Sequence, residues 1–333
     1  MNPSTPLEGI EVLLADLDGV IYRGPSAIEY AVESINGLPS TIRVGYLTNN
    51  ASRTDAAVAA HLVSLGLHVI PSDVVTSPQA AVRLLEGLVP TGSSILVVGG
   101  DGLTTEVTAA GYVVTRSALD SPAAVIQGFA PEIGWTDLAE AAFALQGEGV
   151  HIPWIATNTD WTIPQARGTA PGNGTLVSAV HTAIGRLPIV AGKPELAIFQ
   201  EAIRRFGSDC ALMLGDRLDT DILGANRAGL RSAFVLTGID KAKQLLAAAP
   251  EERPTFILQD LRDLAAEYPE AIETVHDTVT ETRVGRAVVL REGGVLRVAA
   301  SGTGIDLLRA GCAAIWNSGM AIYAMDVPSE LYS

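Results

Sequence analysis

The sequence predicts an α/β protein built on a parallel sheet, and three observations lead to that class. Short apolar runs rich in Val, Ile and Leu alternate with Ala/Leu-rich stretches of helical length, the pattern of strands joined by crossover helices. Several runs stop at polar residues of chemical character: Asp16 and Asp18, Thr48 and Asn49, and Asp216. In open parallel sheets ligands bind beyond the carboxyl ends of the strands. The stretch from 79 to 185 carries further strand–helix units without such endings, so it reads as an insertion.

In chain order, strands are predicted over 12–18, 43–49, 95–101, 123–129, 154–158, 211–216 and 232–238, each an apolar, β-rich run. Helices are predicted over 55–66, 137–147 and 194–207. Ser52 with Asp55 forms a weak capping box before the first of these, and Pro194 suits the first position of the last. After residue 268 the character changes. "RAVVLREGGVLRVAAS" reads as two strands around a Glu-Gly-Gly turn, "GIDLLRAGCAAIWNSG" as a helix and "AIYAMDV" as a last strand. Such a ββαβ unit is too small to stand alone and is expected to pack on the rest.

Composition removes several classes of function. Hydrophobic residues make up 48% of the chain and charged residues 18%, which is globular rather than disordered. A net charge of −15 with no basic cluster argues against a nucleic-acid or anionic-membrane partner. The two cysteines, Cys210 and Cys312, support neither a disulfide framework nor a cysteine zinc site and point to a reducing compartment. "MNPSTPLEGI" has no leader character, and no segment approaches about 20 uninterrupted apolar residues. A cytoplasmic protein is expected. His61, His68, His151, His181 and His276 lack metal-ligand spacing.

Four segments can form one site. In "DLDGVIYRG" two carboxylates crowd the end of a strand, which is costly unless a cation or shared proton sits there. Hydrolysis of a phosphate monoester needs such a pair: Asp16 as nucleophile, and Asp18 to protonate the leaving oxygen and then activate water. The second role requires a pKa raised from about 3.9 by burial and neighbouring charge. In "YLTNNASRT", Thr48, Asn49 and Asn50 precede a helix and offer a hydroxyl and backbone N–H groups to an anion. In "VAGKPELAIF", Lys193 supplies a cation for phosphoryl oxygens; this is no nucleotide P-loop, since Leu187 stands where its glycine belongs and Pro194 follows the lysine. In "GDRLDTDILGANRAG", hard carboxylate oxygens suit Mg²⁺. Asp216 and Asp16 with the Asp18 main-chain carbonyl make a metal site, Asp221 supports Lys193 or a metal-bound water from behind, and Asp219 is a solvated acid.

Taken together, "DLDGVIYRG", "TNNASRT", "AGKPE" and "GDRLDTDILGANRAG" resemble the haloacid dehalogenase superfamily of phosphatases, in its p-nitrophenyl- and sugar-phosphatase-like branch, over about 8–265. The resemblance implies a Rossmann-like doubly wound core over 1–78 and 186–268, an α/β cap over 79–185, and the same roles: Asp16 nucleophile, Asp18 acid/base, Thr48, Asn49 and Lys193 on phosphate, Asp216 on Mg²⁺. It also implies that 157–175 faces substrate, with Asn158 and Asp160 on its hydroxyls and Gly172 allowing close backbone approach. The extension, 269–333, resembles the acetyltransferase-like fragment that ends some glycerol 3-phosphate phosphatases, but it shows no pyrophosphate loop for acetyl-CoA. Glycerol 3-phosphate is therefore the expected substrate, with other sugar or polyol phosphates as alternatives. Relatives that pair through the cap make a homodimer the expected assembly. A phospho-acceptor switch or a metabolite sensor is disfavoured, because a switch gains nothing from an Asp18 poised to hydrolyse its own signal.

Overall fold

The computed structural model describes residues 5–146, 151–165 and 167–332. Met1–Ser4 of the N-terminal stretch, Gly147 at the end of the expected helix 137–147, and Ala166 within 157–175 lie outside the described residues. The chain forms two compact units, one of residues 1–23, 27–43 and 210–333, the other of 24–26 and 44–209. This division groups the C-terminal extension with the strand bearing Asp16, and the insertion with the strand ending at Thr48.

The first unit carries four parallel strands in the order Phe256–Leu258, Arg231–Val235, Ala211–Gly215, Val12–Asp16. Val12, Leu13, Leu14 and Ala15 are all at most 1% exposed, which explains an unbroken apolar run in place of alternation: a parallel strand is covered on both faces. That strand ends at Asp16 rather than Asp18. Gly19, at φ 91, turns the chain, and its N–H donates to the Tyr22 carbonyl at 2.9 Å.

The extension differs from the ββαβ expectation. Four antiparallel strands, Ala271–His276, Val279–Val284, Ala287–Glu292 and Val295–Ala300, precede the helix Gly304–Trp316. The first two form a hairpin closed by Asp277 at φ 52, a left-handed turn position that Asp tolerates. Ala271–His276 is exposed along its whole length, so no apolar run marks it. "AIYAMDV" forms a short 3₁₀ turn, Ile322–Ala324, and an isolated bridge from Asp326 to Val295 in place of a strand. The helix sits in one apolar cluster with Leu218, Ile222, Phe234, Leu246 and Ile257. It is apolar nearly all round because it is covered nearly all round. Each buried Leu or Ile there contributes roughly 1.5–3 kcal/mol, so the extension packs on its own unit as its small size required.

In the second unit Arg43–Thr48 pairs in parallel with Val74–Thr76. A five-stranded parallel sheet lies beyond it in the chain, in the order Ile189–Val190, Trp154–Ala156, Ala124–Gln127, Ser94–Val98, Val113–Thr115. The helices Trp135–Ala144 and Asn173–Ile184 share a buried cluster with it. Both units thus have the α/β architecture expected from the pattern of runs. Two local expectations change. Thr54, not Ser52, caps the helix Asp55–Ser64, accepting from Ala57 N–H at 3.2 Å. The helix after Lys193 begins at Leu196, with Glu195 at its N-cap. No helix among the described residues is long and apolar enough to cross a membrane.

A polar network links helices of this unit. Gln79 Nε2 donates to Asp55 at 3.1 Å and Glu106 at 3.2 Å, and Arg205 donates to Gln79 Oε1 at 3.1 Å and Glu201 at 2.9 Å. Burial pushes the Glu106 carboxyl above its usual range, the Gln79 amide opposes this, and the Asp55 charge adds to it. A pKa raised on folding contributes stability below the ordinary carboxylate value and loses it as pH rises through the raised one. Glu106→Gln keeps the acceptor for Gln79, so it is expected to raise Tm by about 2 °C at neutral pH and to give no gain near pH 4. Thermal unfolding at the two pH values checks this.

Candidate active site

Adjacent parallel strands bring the first group together. Register Ala15↔Leu214 sets the ends of Val12–Asp16 and Ala211–Gly215 side by side, so Asp16 and Asp216 leave the sheet as neighbours. Asp221 joins them from the π-helical turn Leu218–Ile222. Ligand oxygens of Asp16, Asp216 and Asp221 all lie within 4.8 Å of one another, and the three residues are 9%, 1% and 1% exposed. At an effective dielectric near 20, each ionised pair at that separation repels by roughly 3 kcal/mol or more.

Backbone donors hold this geometry. Asp221 Oδ2 accepts from the N–H groups of Asp216 and Arg217, both at 3.2 Å. A Cβ on Gly215 would sit 2.1 Å from Asp221 Cβ, so only glycine leaves room for this packing. Asp216 Oδ2 accepts from Ile239 N–H at 2.6 Å. The donor set fits Mg²⁺: three oxygen ligands, no nitrogen or sulfur. Asp221, expected to support Lys193 or a metal-bound water, stands beside Asp16 and Asp216 because the irregular turn aims it back at the strand ends. Asp219 is a solvated acid as expected, paired on the surface with Arg217 at 2.8 Å. Asp18 adds no side chain to the carboxylate group and is exposed.

The second group lies in the other unit. Thr48 is 4% exposed at its strand end, and its Oγ1 accepts from Asn50 N–H at 3.1 Å. Asn50 faces solvent, with its side-chain oxygen accepting from Ser52 N–H at 2.9 Å and Ser52 Oγ at 2.7 Å. The Asn49 side chain grips the lysine loop. Its Oδ1 accepts from Lys193 N–H at 2.8 Å, and its Nδ2 donates to the Lys193 carbonyl at 3.1 Å and to both Asp160 oxygens at 3.2 and 3.3 Å. The Asn49 carbonyl accepts from Ser77 Oγ at 2.7 Å and Asn158 Nδ2 at 2.6 Å. Lys193 is 4% exposed, so this loop is held in place rather than solvated.

These contacts revise three expectations. Asn49 and Asn158 turn their amides to the protein's own backbone, and Asn49 also to the Asp160 carboxylate, rather than to a ligand, because a loop junction must satisfy its buried carbonyls and N–H groups. Asn158 is 4% exposed, its Oδ1 accepts from Asp160 N–H at 3.2 Å, and its carbonyl accepts from Asn173 Nδ2 at 2.7 Å. The close approach at Gly172 is likewise internal: a Cβ there would lie 2.2 Å from the Asp160 carbonyl oxygen. Asp160 is half-buried and held by Asn49. The stretch 157–175, expected to face substrate, contains a hairpin of Thr162–Gln165 and Gly168–Pro171.

Sequence reasoning missed the turn Thr237–Asp240, whose contacts reach Asp216 and Leu218. Burial raises the pKa of Asp240; the Leu218 N–H and Arg217 oppose this, and the charges of Asp219 and Asp221 reinforce it. The available signal was one more strand end, "FVLTGID", whose polar residues have the look of an ordinary turn.

Comparison with known proteins agrees with this geometry. Residues 13–113 match a family model described as haloacid dehalogenase-like hydrolase, and 190–264 match a second, HAD-hydrolase-like one. The D-glycerol 3-phosphate phosphatase of Mycobacterium tuberculosis is 42% identical over 93% of this chain and 87% of its own. A crystal structure of glycerol phosphate phosphatase from Mycobacterium tuberculosis in complex with magnesium superposes with a TM-score of 0.85 at 40% identity, covering 96% of this chain and 94% of that one. The 4-nitrophenylphosphatase of Thermotoga maritima gives a TM-score of 0.71 at 28% identity, covering 98% of that chain but 78% of this one. Family-model matches, parallel sheets and a carboxylate group at the strand ends converge on one assignment: the chain belongs to the haloacid dehalogenase-like hydrolases.

Proposed function

We propose that this chain is a Mg²⁺-dependent phosphatase that hydrolyses glycerol 3-phosphate to glycerol and phosphate. The observation that carries the reading is the buried group of Asp16, Asp216 and Asp221, in a chain 42% identical to an enzyme of that name. We assign the core to 1–78 and 186–268, the cap to 79–185 and the extension to 269–333.

In this reading Asp16 attacks phosphorus, forming an aspartyl-phosphate as the bond to the glycerol oxygen breaks. Asp18 gives its proton to the departing alkoxide. A water then attacks the aspartyl-phosphate while Asp18 takes its proton, and phosphate leaves with the Asp16 carboxylate restored. Asp18 is exposed, so it can exchange protons with solvent between the two steps. Asp16, Asp216 and Asp221 would hold Mg²⁺, which neutralises charge on the phosphoryl group. Thr48, Lys193 and the backbone at Asn49 and Asn50 bind phosphate, as the motif match supports; the Asn49 side chain holds the lysine loop. Asp160 is the proposed contact to substrate hydroxyls.

A Mg²⁺-dependent screen of small phosphomonoesters tests this. The kcat/KM for glycerol 3-phosphate is expected to exceed that for p-nitrophenyl phosphate by at least about 10-fold, since hydroxyl recognition that strengthens in the transition state adds about 1.4 kcal/mol or more. A sugar phosphate that outperforms glycerol 3-phosphate would overturn the substrate, and no turnover of any ester would overturn the class.

A further inference from the structure

Asp216 is gripped by backbone from two distant parts of its own unit. A Cβ on Gly19 would lie 2.3 Å from Asp216 Oδ2, and one on Gly238 1.8 Å from the same oxygen. Both distances are far inside van der Waals contact, so only glycine fits at either position. Ile239 N–H donates to Oδ2 at 2.6 Å and Asp240 N–H to the Asp216 carbonyl at 3.2 Å.

The gripping turn is itself fastened. Thr237 Oγ1 donates to the Gly19 carbonyl at 2.7 Å, and Arg23 donates to the Thr237 carbonyl. Lys241 Nζ donates to the carbonyls of Leu236, at 3.2 Å, and Gly238. Asp240 Oδ2 accepts from Leu218 N–H at 2.8 Å, which ties the turn to the segment carrying Asp221. Thr237 thus couples the two glycines that enclose the carboxylate, although 218 positions separate it from Gly19.

We propose that the turn Thr237–Asp240 is a positioning clamp for Asp216, and that Thr237 and Gly238 set divalent-cation affinity without touching the cation. The inference rests on the reading of Asp16, Asp216 and Asp221 as the metal-holding group. Mg²⁺ demands near-ideal octahedral geometry, so a carboxylate free to rotate offers its oxygen to the metal only part of the time. Residues that orient ligands typically change affinity about 10–100-fold when removed.

Calorimetric titration of the full chain with MgCl₂, without substrate, tests the clamp. Thr237→Val is expected to weaken Mg²⁺ binding about 10-fold, and Gly238→Ala about 10–100-fold. Thr237→Ser keeps the hydroxyl and is expected to bind like the parent chain. In turnover the half-saturating Mg²⁺ concentration should rise in step for Thr237→Val, while kcat at saturating Mg²⁺ changes much less. Asp216→Asn is the control, expected to lose binding altogether. If it loses binding while Thr237→Val binds like the parent, the clamp is overturned and the metal reading stands. If Asp216→Asn itself binds like the parent, the metal reading fails and the clamp with it. Should Gly238→Ala not fold, the Val/Ser pair at 237 decides, because removing one hydroxyl leaves the packing in place.

Discussion

Asp16→Asn is expected to abolish turnover while leaving the fold intact. An amide is no nucleophile toward phosphorus at neutral pH, and loss of a nucleophile in a covalent mechanism costs roughly 10⁶-fold in kcat where it has been dissected. The substitution also removes one of three acidic groups crowded within 4.8 Å. Without metal those charges repel, so the metal-free variant is expected to melt at or above the temperature of the metal-free parent. Steady-state phosphate release and thermal unfolding in EDTA check the two halves. Near-parental turnover would remove Asp16 as nucleophile; lost turnover with a lowered Tm would show that the carboxylate is needed for the fold.

Removal of divalent metal is the second large effect. Excess EDTA is expected to bring activity to background, and Mg²⁺ to restore it. Metal binding also stabilises the native state, because the unfolded chain does not hold the three carboxylates together. At 100-fold excess over the dissociation constant the gain is about 2.7 kcal/mol, or roughly 4 °C in Tm for a chain of this size. Full activity in EDTA, or a Tm indifferent to Mg²⁺, would exclude the metal from the proposed role.

The residues behind these two experiments differ in how plainly the sequence shows them. Asp16 and Asp216 are legible at once, since an apolar run that stops at a carboxylate stands out against an otherwise buried strand. Asp221 is visible as an acid, but its place in space is not. As the last acid of "GDRLDTD" it reads as support, and only the π-helical turn Leu218–Ile222 returns its side chain to the strand ends. Thr237 and Gly238 carry no chemical signal at all, because a threonine and a glycine after a strand describe most turns. The extension shows the same limit: Ala287–Glu292 and Val295–Ala300 announce themselves around their Gly-Gly turn, whereas Ala271–His276, exposed throughout, does not.

From sequence alone came the α/β class, the positions of the strands and helices expected before residue 268 to within a few residues, the identity of the acidic residues and the choice of a hard cation. These are local properties, written in the period of apolar residues and in the polar residues at which each run stops. The tertiary structure alone decided which polar groups bond to one another. Asn49 turns its amide to Lys193 and Asp160, 144 and 111 positions away, and Asn158 turns to the Asn49 carbonyl. A side chain offered to a ligand and one that satisfies a buried loop have the same letters; what separates them is the distant backbone that happens to lie within hydrogen-bond reach.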